Sequence, residues 1–548
     1  MTSTARDTKL LFFGLREPEL APGLRAGLGR IDVDIVEYVT QEFGTLDELF
    51  RMRVTEHPDR VAAICADRQV TFEELDALAD RIASSLQRDG VQPGHMVSIC
   101  ASSSIDYVAI FIAILRVGAT VAPLPPSATP AQLITMLEDC RATHLFSDTA
   151  VSRHLARVST DITARRVALE SDAEGEPFEV WMAPEGATPT PVPIDPSGSF
   201  NIIYSSGTTG TPKGIIHSHR MRWPQITSLL PAYSYDAVAI LSTPLYSNTT
   251  LASLLPALGG GATCVLMPKF DSLEFLKLCE RHRVSAAMLV PVQYRRILEV
   301  PEFDDFDLST FQMKFSTSAP FPAELKREVL SRWPGGLVEI YGMTEGGVVC
   351  VLRAHEFPDK LHTVGTWAQP SDLQVIDDDG RVLPPGEAGE IVGRSASMMD
   401  GYLNQPERSA EAEWWSPEGL RYIRTGDIGS VDEDGFVTLV GRKKDMIISG
   451  GFNVYPSDLE AALMGHPSVE EAAVIGAPSR QWGETPVAFV AFREGAAVGA
   501  EELREFANSS LGKNQRISEV RIVQVLPRSA IGKVLKRELQ DSLASESA

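Results

Sequence analysis

The sequence predicts an α/β protein: a large amino-terminal domain with two α/β subdomains and a β-rich subdomain, followed by a small α+β domain. Three observations carry this. At 548 residues the chain is too long for one compact core. Helical and strand-like segments alternate in two stretches, from Thr71 to about residue 148 and from residue 200 to about 333. Near Val375 the pattern changes to short strands around acidic-glycine turns, and beyond Arg442 a compact helix–strand unit follows.

In order, "TFEELDALADRIASSLQRDG" has apolar residues at helical spacing and ends at glycine, and "HMVSICA" is strand-like. "DYVAIFIAILRVG" is helical, "TVAPLPP" extended, "PAQLITMLEDC" helical and "THLFSD" extended. After residue 200, "FNIIY" reads as a buried strand with "IIHSH" close behind it. "LASLLPALGGGATCVLMP" has membrane-span length and no charge, but Pro256 and Gly259–Gly261 divide it into a buried helix, a glycine turn and a strand. "AVAILST" and "SAAMLVP" are strands, "SLEFLKLCERHR" and "PAELKREVLSRW" helices. "DLQVIDDDGRVLPPGEAGEIVGRS" and "SVDEDGFVTLVGR" form hairpins. The last unit runs helix "SDLEAALMGH", strands "EEAAVIGAP" and "TPVAFVAFR", helix "AEELREFANSS" and strand "EVRIVQV". This places the domains at 1–441 and 442–548, with the boundary at Arg442–Lys444.

Composition narrows the function. Hydrophobic residues at 44% and charged residues at 22% are those of a globular protein. A formal charge of −23 excludes non-specific nucleic-acid binding, which needs a basic face. An anionic substrate must be held by local groups against that field. The six cysteines are scattered, with no C-x-x-C and no Cys/His cluster, which points to reduced thiols, no zinc site and a cytoplasmic location. No export signal and no membrane span is read.

The stretch "YSSGTTGTPKG", Tyr204–Gly214, concentrates hydroxyls and glycines around one lysine. It builds no core; it exposes N–H and hydroxyl donors that suit a triphosphate. The Walker order G-x-x-x-x-G-K-[ST] is absent, because Gly214 follows Lys213, so a P-loop is rejected.

Four further stretches follow in order: "YGMTEGG" (341–347), "YIRTGD" (422–427), "GRKKDMIISGGFNVYP" (441–456) and "RSAIGK" (528–533). With these five in register, from about Gly44 to Leu539, the chain resembles the adenylate-forming superfamily of acyl-CoA synthetases, carrier-protein adenylation domains and beetle luciferases. The resemblance implies activation of a carboxylic acid by ATP as acyl-AMP, with pyrophosphate released, then attack by a thiol. It also implies a mobile small domain.

By that resemblance Ser205, Ser206, Gly207, Thr208, Thr209, Gly210 and Lys213 hold the β- and γ-phosphates. Tyr341 stacks on adenine, Thr344 contacts phosphate, and Glu345 with Thr344 holds Mg²⁺, which suits a carboxylate plus phosphate oxygens. Ser318, Ala319 and Pro320 of "STSAP" lie along the adenine. Asp427 accepts from the ribose hydroxyls, and Arg442 assists at ribose and phosphate. Lys533 bridges the substrate carboxylate and the α-phosphate, stabilising charge in the transition state. Lys444 is the hinge about which the small domain turns, and Gly450 and Gly451 then line the pantetheine tunnel of coenzyme A.

The acyl pocket implied is Asn248, Thr249, Val290, Thr317, Gly342, Gly347 and Val348, neutral and mostly small, fitting a fatty or an aromatic acid. Two departures stand out. Ser247 occupies a position where many relatives have histidine, and Ile448 stands where luciferases and plant phenylpropenoate ligases have lysine. His217 and His219 read as structural. The expected function is an ATP-dependent carboxylic acid–CoA ligase; a stand-alone enzyme loading a carrier protein is the alternative, and an AMP/ATP-binding regulatory relic a third reading.

Overall fold

A computed structural model describes residues 38–157, 162–205, 212–368, 370–449, 452–493, 495–496, 498–512, 515–529 and 532–546. The chain divides into two units: residues 1–362, 367–372 and 393–423, and residues 363–366, 373–392 and 424–548.

In the first unit, one sheet orders Lys213–Ser218, Ser199–Ser205, Thr120–Pro123, Met96–Cys100, His144–Ser147 and Arg165–Ala168, with Gly401–Tyr402 added beside Lys213–Ser218. Its central pairs are parallel, while Ser199–Ser205 and Lys213–Ser218 form an antiparallel hairpin. A second sheet orders Cys350–Arg353, Gly336–Tyr341, Met313–Ser316, Ala286–Leu289, Val238–Leu241, Thr263–Leu266, Val61–Cys65 and Arg68–Thr71; its central pairs are parallel, while Cys350–Arg353 and Arg68–Thr71 each pair antiparallel with their neighbour.

The helices follow from their caps and periodicity. Phe72–Arg88 starts with a capping box in which Thr71 and Glu74 each bond the other's backbone N–H, and it buries Leu75, Ala79, Ile82 and Leu86. Ile105–Arg116 is apolar from Tyr107 to Leu115 and buried at every residue but Asp106, which places it in the interior of the unit. The uncharged stretch at 251–268 is a buried helix, Asn248–Gly260, stopped by Gly261 at φ 86° and followed by strand Thr263–Leu266. One continuous core joins these elements, and each fully buried Val, Leu, Ile or Phe in it contributes about 1.5–3 kcal/mol.

In the second unit, Asp427 to Val431 pairs antiparallel with Val437–Arg442. Farther along, Phe452–Val454, Ile447–Ser449, Gly483–Phe492 and Val469–Ser479 form an antiparallel sheet, with Glu519–Val523 added parallel to Gly483–Phe492. Alternation along its strands gives two faces. Val474, Ala488 and Val490 pack with Leu459, Leu463 and Leu503 of the helices Pro456–Met464 and Ala500–Ser510. Ile475, Val487 and Phe489 pack with Leu526 and Leu539.

Among the described residues no helix is long and apolar enough to cross a membrane. The six cysteines are free thiols; five are buried and Cys65 is half-buried.

Candidate active site

In the first unit Ser205 ends one strand, Lys213 begins the next, and the two are cross-strand partners. Ser206, Gly207, Thr208, Thr209 and Gly210 lie outside the described residues. The hairpin is braced at its loop end, where the Tyr204 hydroxyl donates to Asp139 at 2.8 Å. The Lys213 ammonium stands 4.8 Å from the centroid of the Tyr402 ring.

Tyr341 is the last residue of strand Gly336–Tyr341, and the chain then turns sharply through "GMTEGG". Gly346 and Gly347 make this turn at φ 77° and 92°. A Cβ on Gly346 would lie 1.7 Å from the Ser397 carbonyl oxygen, so only glycine fits there. Three hydrogen bonds fix the loop. His217 Nε2 donates to the Thr344 carbonyl at 2.7 Å, the Met399 amide to the Glu345 carbonyl at 2.9 Å, and the Tyr402 hydroxyl to the Glu345 carboxylate at 2.9 Å.

His217 is itself held by the buried Arg222, whose guanidinium donates to Nδ1 at 2.7 Å. Arg222 also donates to Asn201 Oδ1 at 2.9 Å and Gln225 Oε1 at 2.8 Å, so these three partners are neutral. Burial first, then the Arg222 charge, push the His217 pKa well below the usual value, keeping the imidazole neutral with its proton on Nε2. Burial pulls Arg222 itself down to about 9.

The "STSAP" loop follows strand Met313–Ser316. Thr317 and Ala319 are half-buried, and Ser318 and Pro320 are exposed. Ser318 has φ 79°, a left-handed conformation uncommon for a residue with a side chain. Its hydroxyl lies 2.6 Å from that of Thr249, which joins this loop to helix Asn248–Gly260. Asn248 opens that helix, and its Oδ1 is buried with no hydrogen-bond partner among the described residues. Ser247 is the helix N-cap, its hydroxyl accepting from the Thr250 amide at 3.3 Å, a task a serine performs directly. Val290 and Val348 are buried. A Cβ on Gly342 would come 3.6 Å from the Val348 carbonyl oxygen. The structure thus brings Thr249 to Ser318 and Gly342 to Val348, while Val290 stands on its own helix N-cap.

In the second unit Asp427 and Arg442 are cross-strand partners, with Nε to Oδ1 at 2.8 Å. Asp427 is buried, and its amide donates to Thr425 Oγ1 at 3.0 Å. Lys533 follows Gly532, at φ 76°, in a tight loop closed by an Arg528–Val534 bridge. Arg528 donates to the Gly532 carbonyl and pairs with Glu471 at 2.7 Å, tying the loop to the sheet. Lys533 is exposed as a residue, but protein atoms crowd its ammonium. That desolvation, then the charges of Arg442 and Lys444, lower its pKa to about 8 against the pull of Asp445 and Asp427. Asp427, Arg442, Lys444 and Lys533 therefore share one electrostatic neighbourhood.

Lys444 sits in the 3₁₀ turn Lys443–Asp445. Its neighbour Lys443 pairs with Asp378 at 2.8 Å and Glu390 at 3.2 Å. Gly450 and Gly451 lie outside the described residues. Strands Ile447–Ser449 and Phe452–Val454 pair antiparallel, and Ile448 is exposed.

Among the described residues no group of three or more His, Cys, Asp or Glu is placed to hold a metal ion. Glu345 with the Thr344 hydroxyl fits Mg²⁺ bound chiefly through phosphate oxygens, which needs only one or two protein carboxylates. Sequence reasoning missed Tyr402 and the Arg222–His217 pair. The faint local signal for Tyr402 is the "GY" closing an apolar "MM" pair.

Comparison with known proteins gives the class. Residues 50–403 match the family model described as AMP-binding enzyme, and residues 458–533 its C-terminal domain. The chain belongs to this family of adenylate-forming enzymes, and its type is that of the acyl-CoA synthetases, AMP-forming acid–thiol ligases. It is 32% identical to 4-coumarate–CoA ligase 5 of Oryza sativa subsp. japonica, over 90% of this chain and 93% of that protein. It is also 32% identical to indoleacetate–CoA ligase of Aromatoleum aromaticum, over 89% of this chain and 96% of that protein. The ATP-bound structure of MatB from Rhodopseudomonas palustris superimposes with a TM-score of 0.80 at 27% identity, covering 91% of this chain and 99% of that one.

Proposed function

We propose that this enzyme joins an aromatic carboxylic acid to coenzyme A in two steps, at the expense of ATP and with Mg²⁺. The Lys213 ammonium and the hydroxyls of the glycine-rich loop hold the β- and γ-phosphates. Tyr341 stacks on adenine and Asp427 accepts from the ribose. A carboxylate oxygen of the acid attacks the α-phosphorus, and pyrophosphate leaves. Lys533 faces the charge that develops between carboxylate and α-phosphate. Glu345 and the Thr344 hydroxyl would hold Mg²⁺, which would supply charge neutralisation at the phosphate oxygens. The coenzyme A thiolate then attacks the acyl carbon, and AMP leaves.

The observation that most supports this reading is the grouping of Lys533 with Asp427 and Arg442, a cation in the field of the carboxylate proposed to hold the ribose. The aromatic assignment is supported by the 4-coumarate and indoleacetate specificities in the names of relatives covering about nine-tenths of the chain. It is also supported by the neutral, mostly small pocket set. Free thiols fit work in the reducing cytoplasm. The test is a panel of arylpropenoic, arylacetic and aliphatic acids with ATP, Mg²⁺ and coenzyme A, scoring thioester and AMP. Aryl acids should lead by at least tenfold in kcat/KM. Preference for an aliphatic acid overturns the aromatic assignment, and transfer only to a phosphopantetheinyl carrier protein overturns the acceptor.

A further inference from the structure

We infer that Tyr402 is a positioning residue for adenylation, its hydroxyl aiming the Glu345 carboxylate and its ring face holding the Lys213 ammonium. The proposal rests on the reading of Glu345 as metal-holding and Lys213 as phosphate-holding. Three observations carry it. The hydroxyl donates to Glu345 Oε1 at 2.9 Å, and the ammonium lies 4.8 Å from the ring centroid, within cation–π range. One side chain therefore touches both charged groups, although Lys213 and Glu345 are distant in sequence.

Second, Tyr402 is itself fixed. Gly401–Tyr402 pairs with Ile215 and Ile216 as an added strand, the Leu403 amide donates to the Gly214 carbonyl at 2.7 Å, and the Tyr402 amide donates to Ser409 Oγ at 2.8 Å. Its ring sits among Ile215, Met399 and Ile423. Third, the segment that carries Tyr402 also braces the Glu345 backbone, through the Met399 amide and the close approach of Ser397 to Gly346. A carboxylate held by one hydrogen bond from a rigid phenol keeps Oε2 turned to a fixed direction. A lysine resting on a ring face keeps its ammonium donors unspent for phosphate.

The test separates hydroxyl from ring. Mn²⁺ serves as a paramagnetic stand-in for Mg²⁺, and its affinity is read by EPR in the presence of a non-hydrolysable ATP analogue. Analogue binding without metal is read by calorimetry. Tyr402→Phe should weaken Mn²⁺ binding about tenfold or more, as for loss of one hydrogen bond to a charged group, and leave metal-free analogue binding unchanged. Tyr402→Leu should weaken metal-free analogue binding as well, by about two- to tenfold. Glu345→Gln is the control. If it weakens Mn²⁺ binding and Tyr402→Phe does not, Tyr402 only packs and the proposal falls. If Glu345→Gln leaves Mn²⁺ binding unchanged, the metal-holding reading falls and takes the proposal with it. Circular dichroism confirms that each variant is folded, and a Tyr402→Phe that melts like the parent yet loses Mn²⁺ affinity supports the proposal.

Discussion

His217 accepts from the Arg222 guanidinium on Nδ1 and donates to the Thr344 carbonyl from Nε2, each at 2.7 Å, so a buried cation is linked through a neutral ring to the Thr-Glu turn. Both ring nitrogens are committed, and protonation of Nδ1 breaks the link to Arg222.

Stability therefore depends on pH. His217 lies well below the usual histidine pKa, chiefly through burial, and burial likewise lowers His219 to about 4. Below about 6.5 the unfolded chain binds protons at both sites while the folded chain does not. Their contribution is therefore complete above about 6.5 and is lost as pH falls toward the folded values. Each contributes a slope of about 1.4 kcal/mol per pH unit between the two pKa values. Urea melts at pH 7, 6 and 5 should show stability falling with pH, and His219→Gln should reduce the slope. A slope unchanged by His219→Gln would assign the acid loss to other groups.

The two glycines proposed for the acyl pocket are not equivalent. Gly347 has φ 92°, and a Cβ there would meet the Gly393 carbonyl oxygen at 3.1 Å and Ile423 Cβ at 3.2 Å. Gly347→Ala should cost about 1–2 kcal/mol in stability before any change of substrate. Gly342 has no such strain, its nearest neighbours standing at 3.6 and 3.7 Å. Gly342→Ile should leave the melting temperature within a few degrees and raise KM for bulky acids at least tenfold, with KM for ATP unchanged. An unaltered acid profile would remove Gly342 from the pocket.

The alternating pattern made the fold legible because helical and strand periods are local properties. Thr71 and Glu74 form their capping box within one turn, and the 251–268 stretch announces its own break with Gly261. The family was legible for the same reason, since each motif that marks it is contiguous. What the sequence did not carry is pairing at long range. His217 meets Thr344 across 127 positions and Tyr402 meets Glu345 across 57, and no local spacing encodes either. The left-handed Ser318 is also silent in sequence, because serine does not mark that conformation as glycine does.

The proposed hinge can be probed with proline. Lys444 lies in the first turn of a short 3₁₀ helix whose entry residue, Arg442, is extended. Proline is tolerated in such a first turn, so Lys444→Pro should fold with little loss. It fixes φ near −65° and should hold the small domain in the adenylating orientation. Pyrophosphate should then be released at about one equivalent per enzyme while thioester turnover falls at least tenfold. Parallel loss of both half-reactions would indicate misfolding, and full turnover would move the pivot elsewhere.

Lys533 provides the sharpest test, because its pKa and its role make one prediction together. Desolvation, with Arg442 and Lys444 close by, brings the free enzyme's ammonium to about 8. In the proposed mechanism the charged form faces carboxylate and α-phosphate, so adenylation should be present below about 8 and lost as pH rises through it. The profile of kcat/KM for adenylation reports the free enzyme and should fall above about pH 8, well below an ordinary lysine near 10.4. The kcat profile should fall later, since bound phosphate and carboxylate favour the charged form. Lys533→Arg should remove the alkaline limb of kcat/KM while lowering its plateau, because arginine stays protonated but differs in shape. Lys533→Ala should reduce adenylate formation by about 10²-fold or more and spare thioester formation from supplied acyl-adenylate. A limb that persists in Lys533→Arg belongs to another group, and equal loss of both half-reactions in Lys533→Ala removes Lys533 from the adenylation step.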